Sequence, residues 1–283
     1  MGAPDVISGA SERRVEVDGI PLRWLERGTG LPVVLLHGIP TSPALWRHVV
    51  PALGGPRLLA FELVGYGQSW DAGRGRDISL QAQAGYLLGC LDALQIESAV
   101  LVGHDLGGGV AQIAAVREPG RCAGLVLSNA VAYDSWPIPS VKAMRAAGGL
   151  IERVPTTLLR LQLAFFLRQG HDVRGRAKES LDAHWPGYAH EDGARAFVRQ
   201  IRSLRTADTM AIADRLPELR VPAAIVWGAA DRFQKIAYGR RLAADLGAPL
   251  DAIEGGRHFV PEDHPERIAA AIERIAGQVA GQG

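Results

Sequence analysis

The chain has 283 residues, of which 47% are hydrophobic and 22% charged, with a net charge of +1. This length accommodates one large core with a smaller insertion. The near-zero charge excludes a general electrostatic pull towards nucleic acid or an anionic membrane.

The opening MGAPDVISGASERR has no apolar leader, and Val6 stands where a myristoylation signal needs Ser or Thr. No run approaches the roughly 18 apolar residues of a membrane helix, so a cytoplasmic location is expected. Arg13 to Val17 and Leu22 to Glu26 flank Asp18-Gly19, a pattern that predicts a tight antiparallel hairpin. Pro32 to Leu36 is continuously apolar, as a strand covered on both faces is. Similar runs occur at Arg57 to Phe61, Ala99 to Val102, Gly124 to Leu127 and Ala223 to Trp227. Between them, Leu80 to Leu94 repeats its apolar residues at helical spacing behind a Ser79 N-cap. Strands alternating with helices predict an α/β fold with a mostly parallel central sheet.

The alternation stops near Tyr133 and resumes at Val221. The intervening chain predicts helices at Val141 to Ile151, Thr156 to Arg168 and Ala194 to Ser203, with no buried-strand run. The expected organisation is therefore a core of residues 1–132 and 217–283, with residues 133–216 inserted as a helical cap. Such a cap would lie over the carboxyl ends of the strands, where open α/β sheets bind ligands. Within it, Leu158 to Leu167 is strongly apolar, suited to core packing, a substrate-facing wall or a dimer contact. Arg168, Arg174, Arg176 and Lys178 read as a solvated surface.

The stretch Val102-Gly103-His104-Asp105-Leu106-Gly107-Gly108 follows a buried strand and opens a helix of small residues. Gly-x-nucleophile-x-Gly in that context is a nucleophile elbow, a turn so tight that small residues must flank the reactive side chain. On these residues the chain resembles the α/β-hydrolase superfamily, in the branch where aspartate replaces serine, which includes epoxide hydrolases and haloalkane dehalogenases. The resemblance implies that Asp105 attacks an sp3 carbon and forms an alkyl ester. A carboxylate is already ionised near neutral pH and needs no base for that step. The base is needed for the water that hydrolyses the ester.

The order nucleophile, acid, histidine places the base late in the chain. His258, in the loop Glu254 to Val260, fits that place. Asp231, directly after the strand ending at Trp227, fits the orienting acid. Some relatives carry that acid near Asn129, which cannot hold a charge here; Asp134 is a second candidate. The resemblance further implies an oxyanion hole from the backbone N–H groups of Ile39 and Leu106, with Gly38 and Pro40 fixing the loop.

The electrophile is read from the residues that would face the leaving group. His37 to Ser42 and Trp46-Arg47 resemble haloalkane dehalogenases. Those enzymes usually carry a halide-binding Trp after the nucleophile and many carry an Asn, where this chain has Leu106 and Ile39. Fluoroacetate dehalogenases hold a carboxylate with elbow arginines, where this chain has Leu106 and Gly109. Epoxide hydrolases use cap tyrosines or a His-Tyr pair to assist the opening oxygen; Tyr133, Tyr188 and His184 are the candidates here. Epoxide hydrolysis leads, with a haloalkane or haloacid substrate as the alternative. An esterase or lactonase, or a small-molecule receptor on the same fold, are further alternatives. The expected partners are a small apolar substrate and water, with a homodimer possible; no metal site or cofactor is expected.

Phe61 to Ser69 reads as a structural loop, not a second elbow or a dinucleotide fingerprint. His37 and His104 are expected to be structural, and His48, His171, His190 and His264 show no partner pattern. Cys90 and Cys122 lie in apolar surroundings and read as free thiols.

Overall fold

The computed structural model describes residues 7–281; Met1, Gly2 and Val6, considered above for lipidation, lie outside them. Its strands are β1 (Ser11–Val17), β2 (Ile20–Arg27), β3 (Pro32–Leu36), β4 (Arg57–Glu62), β5 (Ala99–His104), β6 (Cys122–Ser128), β7 (Ala223–Gly228) and β8 (Leu250–Ile253). They form one sheet in the order β1-β2-β4-β3-β5-β6-β7-β8. The β1–β2 and β2–β4 pairs are antiparallel and every other pair is parallel. The predicted hairpin turns at Asp18 and Gly19, both at positive φ, between paired Val17 and Ile20.

The central strands are apolar throughout because the sheet has a core on each face. In β3, Val34 and Leu36 enter one core while Val33 and Leu35 enter the other; in β5, Leu101 and Val102 divide in the same way. The first core is built with α1 (Leu80–Ala93), α2 (Leu106–Arg117) and, between β7 and β8, α9 (Ile236–Asp245). The second packs against α10 (Val260–Asp263) and α11 (Pro265–Ala280). Helix α1 starts where the sequence places it, with Ser79 Oγ accepting the Ala82 N–H. Cys90 and Cys122 are buried free thiols, and burial pushes both up to about 12.

Between β6 and β7 the described chain is helical: α3 (Pro139–Ala146), α4 (Gly148–Ile151), α5 (Thr156–Gly170), α6 (Arg176–His184), α7 (Gly193–Ser203) and α8 (Thr206–Met210). Three details fill in the sequence expectation. The helix predicted over Val141 to Ile151 is two, broken at Ala147 before the Gly148-Gly149 pair, whose helix propensity is poor. The basic cluster is a solvated surface as expected, with Arg168, Arg174 and Lys178 exposed, and at the start of α6 it carries surface ion pairs, Arg176 with Glu179 and Lys178 with Asp182. Finally, the apolar α5 is split by face: Leu159, Leu163 and Leu167 are buried, while Leu158, Leu161 and Phe165 are exposed. Among the described residues, no helix is long and apolar enough to cross a membrane.

The end of α5 is tied to the core by a buried ionic cluster. His171 Nδ1 lies 2.9 Å from Asp263, and its Nε2 lies 3.2 Å from Glu262. Glu262 also meets Arg47 and His184. Burial opposes a charge on His171, but its hydrogen bond to Asp263 and the nearby Glu262 carboxylate prevail and raise its pKa to about 9. A folded-state pKa above the ordinary value favours the protonated form in the fold. Its stabilisation is complete below about pH 6.5 and is lost as pH rises through about 9. Thermal unfolding of wild type and His171→Asn should show this directly. Their stability difference should shrink by about 3 kcal/mol between pH 6 and pH 10; a constant difference would assign no ionic role to the cluster.

Candidate active site

β5 runs straight into α2 through Asp105, which has φ 50° and ψ −120°. A non-glycine residue there stores strain on the order of 1–3 kcal/mol. The surrounding backbone holds it: the Asp105 carbonyl accepts N–H groups from Gly108 at 3.1 Å, Gly109 at 3.3 Å and Val131 at 3.0 Å. The flanking glycines are required by contact, not flexibility. A Cβ on Gly107 would collide with the Leu36 carbonyl oxygen, and one on Gly103 would collide with Gly107 itself. The elbow thus presses the start of α2 against the end of β3.

This packing aims the Asp105 carboxylate at the loop after β3. Ile39 N–H donates to Asp105 Oδ2 at 3.0 Å, and Leu106 N–H also faces the carboxylate. Both expected oxyanion donors therefore converge on one group, at the positive end of α2. Asp105 is only 6% exposed. Burial raises its pKa, opposed by His258 and by the two N–H groups.

His258 lies in the loop before α10, where its own N–H and that of Phe259 both donate to the Gly170 carbonyl at the end of α5. Its Nδ1 is 2.8 Å from Asp231 Oδ2, and its Nε2 is 3.9 Å from Asp105 Oδ1. Burial disfavours charge on this imidazole, but the carboxylates of Asp231 and Asp105 outweigh it and raise its pKa. The Nδ1 contact with a carboxylate fixes the proton on that nitrogen and leaves Nε2 turned towards Asp105. Asp231 in turn accepts the Phe233 N–H at 2.7 Å on its other oxygen.

Asn129 completes the acid's surroundings. Its amide donates to Asp231 Oδ2 at 2.6 Å, and its carbonyl oxygen accepts the Gly228 N–H at 3.2 Å. Sequence reasoning weighed Asn129 only as a site that lacks charge and missed this supporting role. Its position after β6, beside the strand that leads to Asp231, was the available signal. Asp134, the other acid candidate, instead accepts the Tyr238 hydroxyl at 3.2 Å.

A cavity opens before Asp105, lined by Val131, Trp136, Ile138, Val141, Phe166 and Leu204 together with His258. It adjoins a second space lined by aliphatic and aromatic side chains, Leu163 of α5 among them, and by Gln162. A surface groove bordered by Lys142, Arg232 and Lys235 shares Pro137, Ile138 and Phe233 with the cavity.

The three proposed leaving-group donors are not among the residues that line this cavity. The Tyr133 hydroxyl donates to Asp245 at 2.5 Å, with Arg241 over the ring. The Tyr188 hydroxyl donates to Gln200 at 2.8 Å. His184 lies 3.0 Å from Ser42 Oγ and 3.3 Å from Glu262, facing a separate cavity with Arg23 and Glu62. In each case a buried polar atom is bound to a partner inside the protein, which the sequence pattern could not show.

The other histidines also find partners. His37 Nε2 accepts the Leu63 N–H at 3.1 Å, and burial lowers its pKa to about 3, so it is a neutral structural residue. His104 contacts the Ser128 carbonyl oxygen. His48 meets Glu179, His264 meets Asp172 and His190 stacks on Trp70. The structural loop after β4 is anchored by Glu62, which receives Arg23, the Ser69 hydroxyl and the Gln68 N–H. Among the described residues, no group of three or more His, Cys, Asp or Glu side chains could hold a metal ion.

Comparison with known proteins places this geometry. Haloalkane dehalogenase 2 of Mycobacterium tuberculosis is 28% identical over 262 residues, covering 89% of this chain and 90% of that protein. An epoxide hydrolase of Caballeronia sordidicola is 39% identical over 119 residues, covering 41% of this chain and 36% of that enzyme. The crystal structure of an alpha/beta hydrolase fold protein from Burkholderia ambifaria matches with a TM-score of 0.85 at 28% identity, covering 92% of this chain and 96% of that one. The family model for the alpha/beta hydrolase fold matches residues 32–265. With that match across most of the sheet and through the histidine loop, the chain belongs to the α/β-hydrolase fold family and is a hydrolase.

Proposed function

We propose that this hydrolase works through a covalent alkyl ester on Asp105 and that its substrate is a small apolar epoxide, released as a vicinal diol. The observation that carries this reading is the placement of the Asp105 carboxylate, which faces a mostly apolar cavity with His258 Nε2 3.9 Å away. A serine hydrolase needs its imidazole in direct contact with the nucleophile's proton. A carboxylate nucleophile has no proton to give, and a longer gap suits a water molecule relayed between imidazole and ester.

In the first half-reaction an Asp105 oxygen attacks carbon, and the epoxide C–O bond breaks with its electron pair moving to oxygen. In the second, His258 removes a proton from water as that water attacks the Asp105 carbonyl carbon. The Ile39 and Leu106 N–H groups face the oxygen on which charge then collects. The electrostatics favour this order. Alkylation removes the negative charge of Asp105, one of the groups holding the His258 pKa up. The imidazole therefore becomes easier to deprotonate when a neutral base is needed.

A haloalkane substrate is the second reading, favoured by the near full-length similarity to haloalkane dehalogenase 2. Physical chemistry ranks it lower. A halide leaves as a full anion and stays one in a mostly apolar space, whereas an epoxide oxygen stays attached to its carbon chain and loses its charge once it takes a proton from water. Leu106 and Ile39 offer the departing ion no side-chain donor. The aliphatic and aromatic lining accounts for the small apolar substrate. The expected solution behaviour is that of a protein without nucleic-acid or membrane partners.

A panel of terminal epoxides and haloalkanes, scored for diol and halide in the same samples, tests the assignment. Diol formation without halide release is expected. Halide release alone would transfer the assignment to dehalogenation. Turnover of simple esters with neither product, and no adduct on Asp105, would remove the covalent alkyl mechanism altogether.

A further inference from the structure

The cavity before Asp105 is lined by four residues with polar side-chain groups: Asp105, His258, Trp136 and Gln234. Three of these groups are committed. Asp105 and His258 face one another, and the Trp136 indole N–H donates to Thr209 Oγ1 at 2.7 Å. Gln234 differs. It is 3% exposed, yet among the described residues its carboxamide has no hydrogen-bond partner, and its Oε1 is buried and unsatisfied.

Its backbone is nevertheless held firmly. The Gln234 carbonyl accepts the Trp227 indole N–H at 2.9 Å, and three residues earlier Asp231 holds His258. The side chain is thus carried on the same short loop as the orienting acid. A buried polar group without a partner is disfavoured in a folded protein and calls for an explanation. A methionine would fill the same space without that cost.

We propose that Gln234 is the leaving-group donor: its amide N–H binds the oxygen that departs from carbon as Asp105 attacks. This rests on the covalent alkyl-ester reading and supplies the donor that Tyr133, Tyr188 and His184 do not. As the Asp105–carbon bond forms, the carbon–oxygen bond breaks and its electron pair goes to the oxygen. That oxygen accepts the Gln234 N–H and takes a proton from solvent water. Ester hydrolysis later returns one proton to solvent, so the cycle balances, and Gln234 stays neutral throughout. A half-turn of the terminal amide exchanges its N–H₂ and C=O ends, so either can be presented to the cavity.

The role predicts a combination that packing alone does not. In a His258→Gln background, where the ester is expected to accumulate, styrene oxide and other terminal epoxides are added and alkylation of Asp105 is followed by intact mass. Adding Gln234→Met should slow alkylation about 10²-fold. In the background that retains His258, the same change should leave ester hydrolysis nearly unaffected and should not lower the melting temperature. Gln234→Leu, which removes the donor from a side chain of similar size, should slow alkylation to the same degree. Unchanged alkylation in Gln234→Met would overturn the proposal, as would equal slowing of both half-reactions together with a lower melting temperature. Absence of any adduct when Gln234 is intact would instead remove the alkyl-ester mechanism and this role with it. The two failures are therefore distinguishable.

Discussion

Replacing Asp105 with Ala is expected to reduce turnover at least about 10⁴-fold, the scale seen when a covalent nucleophile is removed from an otherwise intact site. The loss should fall on the chemistry and not on folding. Asp105 is buried at 6% exposure, its pKa is raised by that burial, and its backbone is strained. Ala removes the buried charge and leaves the Ile39 N–H without its partner. The two changes oppose each other, and the melting temperature should move by only a few degrees. Circular dichroism and a turnover assay on one preparation check both parts. Retention of wild-type rates by folded Asp105→Ala would eliminate nucleophilic attack by this residue.

Replacing His258 with Gln is expected to divide the reaction at its midpoint. Alkylation should proceed, because a carboxylate needs no base. Ester hydrolysis should fall at least about 10³-fold, because general-base assistance and its coupling to Asp231 are both lost. The visible result is one equivalent of product-sized adduct on Asp105, with a burst of substrate loss followed by near silence. Peptide mapping locates the added mass. The side chain of Gln can still reach Asp231, so the loop and the Phe259 packing should survive. If the substrate is consumed by wild type and His258→Gln shows neither burst nor adduct, then His258 acts before the covalent step and the division of labour is wrong.

Much of the fold was legible because burial leaves a strong mark on sequence. A strand covered on both faces must be apolar at every position, and Pro32 to Leu36 and Ala99 to Val102 are. The elbow was legible for a related reason, since close backbone approach admits only glycine at 103 and 107. Asp231 and His258 could be assigned from chain order once Asp105 was chosen, and the fold brings all three together. The tyrosines could not be assigned in the same way. Whether a phenol faces a cavity or a neighbour depends on which helix packs against it, and Tyr133 turns to Asp245 on α9, 112 positions away. The break at Ala147 was similarly hidden, since apolar residues keep helical spacing on both sides of it.

The sequence by itself determined the sheet, the strained carboxylate at the end of β5 and the identities of its imidazole and acid partners, because each depends on local sterics or chain order. Tertiary structure alone decided that Asn129 holds Asp231, that Tyr133, Tyr188 and His184 are bound elsewhere, and that Gln234, which lines the cavity, finds no partner among the described residues. The physical reason is that a polar side chain's role follows from which other groups remain available to it. That is settled only when distant segments pack and each buried donor or acceptor finds a partner or is left without one.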